Sequence, residues 1–443
     1  MSDGLFDGVL AAGPVAEWVD DAAWLRAMLD VEAALARAEA DAGLIPAAHA
    51  EAIAAQCLPE YYDVASLGAA ATGVGNPAAP LVRALTARVE GEAARYVHFG
   101  ATSQDIVDTA AMLVARDAVA ALAEDVVACG ELLARLAADH IDTVQAGRTL
   151  LQHAVPVTFG LTAAGWLSGM DDAADRLTAL TFAVQCGGAA GTLAALGERG
   201  PDVVSHLAAR LSLAEPVLPW HTERGRIATL AGALGGVSAA VAKIARDITL
   251  LAQTEVAEVT EQGPGGGSST MPHKRNPVAA VSGAAAAAQA PGLVATLLSA
   301  SAHEHQRAAG SWHAEWWPLR ELLRSTGSAV HWLRTSLERL HVDVDRIRAN
   351  AELTGGYALA ERVTSELVTE HGVGRAAAHD AVAACCAAGK PLVDTLAADP
   401  LVGAHLSTER IAALLDPASY LGSARVFVER ALRHHAQQTG RKQ

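Results

Sequence analysis

Residues 223–261 read ERGRIATLAGALGGVSAAVAKIARDITLLAQTEVAEVTE. Within them Ile227, Leu230, Leu234, Val237, Val241, Ile244, Ile248 and Leu251 alternate steps of three and four without a miss. Two positions in seven then lie on one side of a helix, the seam of long helices packed nearly parallel. The spacing predicts one helix over 223–261. Upstream, Leu122, Val126, Cys129, Leu133 and Leu136 step by four and three, which predicts a helix from Ser103 or Asp105 to about His140. Three more long helices are expected: after Pro156 to about Gln185, from Pro277 to about His303 with a kink at Pro291, and from about Trp312 to Leu340. Period-two alternation is nowhere sustained, so no strand is expected. Asp21 to Ala42 reads as a shorter helix ended by Gly43. After Asn350, Gly355, Gly372, Gly374, Pro391 and Pro400 punctuate short elements. The expected architecture is all-α, with an N-terminal helical domain over 1–104, a central long-helix bundle over 105–352 and a small helical domain over 353–443.

Composition agrees. Hydrophobic residues make up 51% of the 443 and aromatics only 4%, so a large core must come from Ala, Leu and Val, which favours helix over strand. Lys+Arg 33 against Asp+Glu 49 leaves a formal charge of −16, with no basic run, so neither nucleic acid nor an anionic membrane is an expected partner. An anionic substrate would need its counter-charges gathered locally. The cysteines, Cys57, Cys129, Cys186, Cys385 and Cys386, are odd in number and lack a CxxC pair, which reads as reduced thiols. The first twenty residues carry four acids and no base, so no secretion signal is read there. No uncharged apolar run is long and unbroken enough for a bilayer span. These features suggest a cytoplasmic protein.

Four segments carry residue types that packing alone does not ask for. Residues 263–277, GPGGGSSTMPHKRNP, join two long helices. A connector needs the glycines and prolines, but not Lys274 and Asn276 beside adjacent serines. Continuing the heptad seam before this loop reaches Glu255, Glu258 and Gln262, so the stripe turns acidic. It is either a solvated helix end or the wall of a polar cavity. His98-Phe-Gly-Ala-Thr102-Ser103-Gln-Asp105 opens a helix, where hydroxyls serve either as an N-cap or, with free N–H groups, as a seat for a carboxylate. Gly147 to Pro156 places Gln152 and His153 at the entry of a helix, facing a site or merely structural. In His303-Glu304-His305-Gln306-Arg307, Arg307 is either surface or an anion clamp. The two histidines, two apart, do not share a helical face, so a metal reading is weak. Gly187 to Gly191 lacks the preceding strand that a dinucleotide-binding turn requires.

Together these segments resemble the fumarase/aspartase superfamily. Residues 267–277 are similar to its signature loop, and Thr102 to Asp105 and Gly147 to Pro156 to its two other shared regions, in the same order. The likeness implies a three-domain all-α fold, a homotetramer with each active site built by three subunits, and no metal or organic cofactor. The unbroken seam agrees with a tetramer, since one chain's bundle would leave apolar faces for other copies. Within the superfamily the segments His98 to Asp108, Arg148 to Gly160 and Glu304 to Trp317 are most similar to the bacterial 3-carboxy-cis,cis-muconate cycloisomerases. That branch implies a small tricarboxylate substrate and a lactone-forming step in protocatechuate breakdown.

The resemblance assigns Ser268 as proton donor, with Lys274 and Asn276 stabilising the developing negative charge. His98, Thr102, Ser103, Gln152, His153, Ser269, Met271 and Arg307 are the expected substrate contacts. Arg275 fits surface and site equally. Two departures separate the branches. Where lyases of the superfamily usually carry a histidine that protonates the leaving group, this chain has Leu150. An amine leaving group needs such an acid, whose help is worth about 10²–10⁴-fold, whereas a carboxylate leaves as a stable anion. And Trp316 falls where adenylosuccinate lyases carry an arginine for the nucleotide phosphate. The competing expectations are adenylosuccinate lyase or a related lyase, and, from a different class, a non-catalytic scaffold, against which intact Ser268, Lys274 and Asn276 argue.

Overall fold

A computed structural model describes residues 4–264, 266–267, 270–271 and 273–440. The chain divides into two compact units. One comprises residues 1–127, 172–243 and 281–334; the other comprises 128–171, 244–280 and 335–443. The long helices expected from the spacing are present, spanning Ser103–Asp139, Phe159–Thr178, Gly225–Leu251, Val278–Ala287 with Ala290–Ala300, and Ser311–Arg339.

The heptad seam behaves as its spacing requires. Every seam position from Ile227 to Leu251 is buried, six of the eight at 1% exposure or less. In the first unit the seam helix meets Ser311–Arg339 through a buried Ser238–Thr326 hydroxyl pair at 3.0 Å. In the second, Trp166 Nε1 donates to Asp247 at 2.8 Å and ties Phe159–Thr178 to the same helix. The first unit also holds the Asp21–Asp41 helix, capped by Asp20, whose carboxylate accepts from the Ala23 N–H at 2.8 Å. The second holds a core of its own between Leu359 and Leu415, including Val363, Leu367, Leu396 and Ile411.

Three expectations are corrected. The seam helix ends at Leu251 rather than at Glu261, and the chain turns through Ala257, held at φ +51°, before a short strand Val259–Glu261. The Pro277–His303 helix breaks at residues 288–289, and Pro291 sits in the first turn of the second piece, where its missing N–H costs nothing. Strands do occur. Val144–Thr149 pairs with Gln152–Thr158, and Val259–Glu261 with Leu340–Val342, both antiparallel. The Gly147–Pro156 segment is therefore a hairpin rather than the entry to a helix.

Two helical stretches, Gly225–Leu251 and Val278–Ala300, are long and apolar enough by composition to cross a membrane. The first buries its seam as a core helix. The second is buried over only 39% of its most apolar window. Its exposed Val278, Val281, Ala285, Ala288, Gly292 and Ala295 repeat at steps of three and four.

Candidate functional site

In the first unit the site is organised by Asp105, in the first turn of Ser103–Asp139 and 2% exposed. It accepts from the N–H groups of Gly187 and Gly188 at 2.9 Å and of Thr102 at 3.1 Å. It also accepts from Gln185 Nε2 at 3.2 Å and lies 2.6 Å from His221 Nε2. A carboxylate at this position suits the positive end of the helix. Asp105 thus returns to the Thr102 N–H and closes the helix start itself. The hydroxyls of Thr102 and Ser103 make no hydrogen bond among the described residues, so neither is consumed as a cap.

Arg307 approaches the same segment. Its Nη1 donates to Gln104 Oε1 at 2.8 Å and its Nη2 to the Gly188 carbonyl at 2.7 Å, with longer bonds to Ala189. All of these acceptors are neutral. Burial pulls its pKa down, against the pull of nearby Asp105 and Asp108, yet guanidinium remains charged at any physiological pH. A half-buried cation is thus left without a direct carboxylate partner, bonded to the residue that follows the two unused hydroxyls. The Gly187–Gly191 run has a structural purpose here. Gly188 sits at φ +66°, and a Cβ on Gly187 would meet His221 Cε1 at 2.7 Å.

Beneath this layer Arg224 is 3% exposed and clasped from two sides. It donates to Asp108 at 2.7 and 3.1 Å and to Glu315 at 3.0 Å. Burial opposes its charge, but Asp108 and Glu315 overcome that and hold the guanidinium more firmly charged than usual. Asp108 also accepts from Gln104 Nε2 at 3.0 Å and from Trp312 Nε1 at 2.9 Å. These bonds fix Gln104, and through it Arg307. His98 stands at φ +59° with Nδ1 2.7 Å from Glu32 Oε1.

The second unit carries the remaining candidates. The hairpin turns at Leu150 and Leu151, both left-handed at φ +51° and +63° and 97% and 70% exposed. Gln152 is exposed and His153 half-buried just beyond the turn. The hairpin is anchored by Glu258, fully buried, which pairs with Arg148 and accepts from Gln145 Nε2 at 2.8 Å and Asn350 Nδ2 at 2.9 Å. Of the acidic continuation of the seam, Glu258 is thus neither a solvated helix end nor a cavity wall. It is the centre of a closed polar cluster.

The glycine-rich loop narrows at its base. Gly266 accepts at its carbonyl from the Asn276 N–H at 2.8 Å and from Asn276 Nδ2 at 3.2 Å, and Gly267 bridges Arg275. Gly266 has φ +75°, and a Cβ there would lie 2.6 Å from the Asn276 carbonyl, so only glycine fits. Beyond the loop, Glu261 accepts from the Ala279 and Ala280 N–H groups at 3.0 and 2.8 Å and pins the next helix start. Met271 and Lys274 are exposed. Ser268 and Ser269 lie outside the described residues.

The structure therefore groups His98, Thr102, Ser103 and Arg307 in one unit, and Gln152, His153, Met271, Lys274 and Asn276 in the other. The sequence reading missed Asp108, His221, Arg224 and Glu315, whose partners are around 90 to 200 residues distant along the chain. Trp316 lines a largely apolar cavity of about 430 Å³ with Trp24, Met28, Val107 and Trp317. The cavity's cation, Arg320, is paired with Asp21 at 2.6 Å.

Comparison with known proteins adds to this geometry. The profile of the family described as Lyase matches residues 14–292, and that of the adenylosuccinate lyase C-terminus matches residues 356–431. A 3-carboxy-cis,cis-muconate cycloisomerase of Bradyrhizobium diazoefficiens is 48% identical over 93% of this chain and 94% of that protein. A nitrosuccinate lyase of Streptomyces davaonensis is 46% identical over 98% of this chain and 95% of that protein. The crystal structure of the 3-carboxy-cis,cis-muconate lactonizing enzyme from Pseudomonas putida superposes with a TM-score of 0.93 at 43% identity, covering 98% of this chain and 99% of that one.

Proposed function

Since the chain belongs to the fumarase/aspartase superfamily of lyases, we propose that it is a cycloisomerase closing 3-carboxy-cis,cis-muconate to 4-carboxymuconolactone. A carboxylate oxygen of the substrate adds to a double-bond carbon and closes a five-membered ring. The neighbouring carbon takes the electron pair as a carbanion, spread into its carboxylate, and is then protonated. Ser268 delivers that proton, and the alkoxide left behind is reprotonated from solvent. Lys274 and Asn276, with loop N–H groups, stabilise the added charge, the kind of preorganised electrostatics that usually dominates such catalysis. His98, Thr102, Ser103 and Arg307 from one subunit, with Gln152, His153, Ser269 and Met271 from others, bind the three carboxylates. No metal or organic cofactor enters.

The observation that carries this reading is Arg307. Its guanidinium is bonded only to neutral oxygens, one of them on Gln104, which directly follows Thr102 and Ser103 with their unused hydroxyls in the chain. That is the donor set a carboxylate requires in a protein of net charge −16. The cavity at Trp316 offers no unpaired cation for a nucleotide phosphate, which weighs against adenylosuccinate.

The assembly in this reading is a soluble, cytoplasmic homotetramer with sites shared among three subunits. Two features support it. The exposed stripe from Val278 to Ala295 repeats as a second heptad face, as helices joining other copies do. Leu150 and Leu151 hold a strained turn with their side chains in water, an arrangement that a covering subunit would repay. The three-domain division at 104 and 352 belongs to the same proposal, supported by the separate core at Leu359–Leu415.

One second reading has an observation behind it. Nitrosuccinate elimination would expel nitrite, which also leaves without a proton, and the S. davaonensis relative at 46% identity falls within the 40–48% range of the cycloisomerases. An ultraviolet assay for loss of the conjugated diene of carboxymuconate, run beside nitrosuccinate and adenylosuccinate, decides. Lactone formation supports the proposal. Turnover of either other substrate without it replaces the proposal with a lyase.

A further inference from the structure

His98 is not a simple surface histidine. It sits at the start of the turn that leads into Thr102 and Ser103, with a left-handed backbone that a β-carbon disfavours. Its Nδ1 lies 2.7 Å from Oε1 of Glu32, whose side chain is wholly buried in the Asp21–Asp41 helix. Its Nε2 makes no hydrogen bond among the described residues, and the ring keeps 16% exposure. One nitrogen is spent inward, and the other is free.

The carboxylates behind the ring divide their roles. Glu39 lies seven residues on from Glu32, on the same helical face, and neither of its oxygens has a hydrogen-bond partner. Burial, and then the charge of Glu32, pushes the Glu39 carboxyl up to about 9, so it stays neutral. Glu32 is the member of the pair that faces His98. Asp105 is the other acid acting on the ring. Burial pulls the His98 pKa down, but Glu32 and Asp105 together raise it above the ordinary histidine value. The sign follows: the imidazolium is complete at low pH and is lost as pH rises through that raised value.

We propose that Glu32 is a positioning residue that holds His98 as an imidazolium, its free Nε2–H serving as a receptor for one substrate carboxylate next to Thr102 and Ser103. The proposal rests on the polycarboxylate reading of the site, and it gives the acidic chain a second local cation besides Arg307.

The probe is propane-1,2,3-tricarboxylate, which binds without reacting, titrated by calorimetry from mildly acidic to mildly alkaline pH. Carboxymuconate kinetics run in parallel. Wild type is expected to bind more tightly at low pH and to weaken through the His98 inflection. Glu32→Gln keeps an acceptor for Nδ1–H but removes the charge. It is expected to weaken low-pH binding about 10- to 100-fold, the worth of a charge-assisted hydrogen bond. It should also move the inflection to lower pH and raise KM with kcat within a few-fold. His98→Gln gives the same loss with no inflection, and serves if Glu32→Gln does not fold. In the double variant the losses should not add. Unchanged affinity in Glu32→Gln, or pH-independent binding by wild type, overturns the proposal. A wild type that binds the tricarboxylate with the expected inflection yet turns over no carboxymuconate overturns the cycloisomerase reading and leaves this one standing.

Discussion

Leu150→Asn combined with Leu151→Gly changes only the tip of one hairpin, yet it separates two opposed free energies. Both residues hold left-handed backbones at φ +51° and +63°. A leucine there costs about 1–2 kcal/mol, whereas Asn-Gly is the preferred pair for such a turn. The double variant is therefore expected to stabilise a subunit against unfolding by about 2–4 kcal/mol. Association has the other sign. The two side chains are 97% and 70% exposed in the single chain. If neighbouring copies bury them, their loss weakens each hairpin contact by about 3–5 kcal/mol, at the usual worth of burying leucine. Relief of strain is common to free and assembled subunits, so it does not mask that loss. Sedimentation velocity over a dilution series reads the association, and thermal unfolding reads the strain. The expected result is a variant that falls apart at dilutions where wild type stays tetrameric, with activity lost in step. A variant that melts higher and stays as assembled and active as wild type would mean the tip faces water in the oligomer. That result refutes the shared-site reasoning.

Four further outcomes are expected. Ser268→Ala should keep its oligomeric state while turnover of carboxymuconate falls at least about 10²-fold, the scale of a lost proton donor; turnover within a few-fold of wild type removes Ser268 from the mechanism. Arg224→Met leaves Asp108 and Glu315 buried without their cation and should cost about 3–5 kcal/mol in urea unfolding; an unshifted midpoint contradicts the role given to that cluster. Glu39 is raised from 4.5 to about 9 on folding. Between those values the folded state holds the extra proton, so this group lowers stability by about 1.4 kcal/mol per pH unit as pH rises. Glu39→Gln should flatten that slope, and an unaltered slope shows that the carboxyl is not neutral. Leu150→His should not speed lactonisation and should not create adenylosuccinate cleavage; fumarate released from adenylosuccinate faster than by wild type overturns the assignment.

What could be read in the sequence follows from range. The helix from Gly225 to Leu251 was legible because its signal is local and periodic, and each seam residue is in fact buried. The loop at 263–277 stood out as a candidate because its residue types exceed what a connector needs. The hairpin was not. VQAGRT and QHAVPVT are short and do not alternate, and their turn is Leu-Leu where Asn-Gly would announce it. The seam misled at its end, since Glu258 keeps the heptad spacing while the helix has already stopped at Leu251. The cluster of Asp108, Arg224 and Glu315 was beyond reach, because nothing local at Arg224 reports carboxylates 116 and 91 residues away. One bond removes the N-cap reading of Thr102 and Ser103. Asp105 closes the helix start and leaves both hydroxyls unused.

The weight that Leu150 can bear is set by leaving-group chemistry. A side chain without a titrating proton argues against reactions that expel an amine, for which general-acid help is worth orders of magnitude. It does not choose between a departing carboxylate and departing nitrite, since both are stable anions. The 48% and 46% identities to a cycloisomerase and a nitrosuccinate lyase are too close for overall similarity to choose either. What differs between the two substrates is the number of carboxylates, three against two. The distinction therefore moves from Leu150 to the groups that bind anions. If His98 and Arg307 each receive a carboxylate, with Gln152 and His153 from another subunit available for the third, a tricarboxylate should inhibit far better than its dicarboxylate analogue. Equal inhibition by the two would leave the third seat empty and favour the smaller substrate.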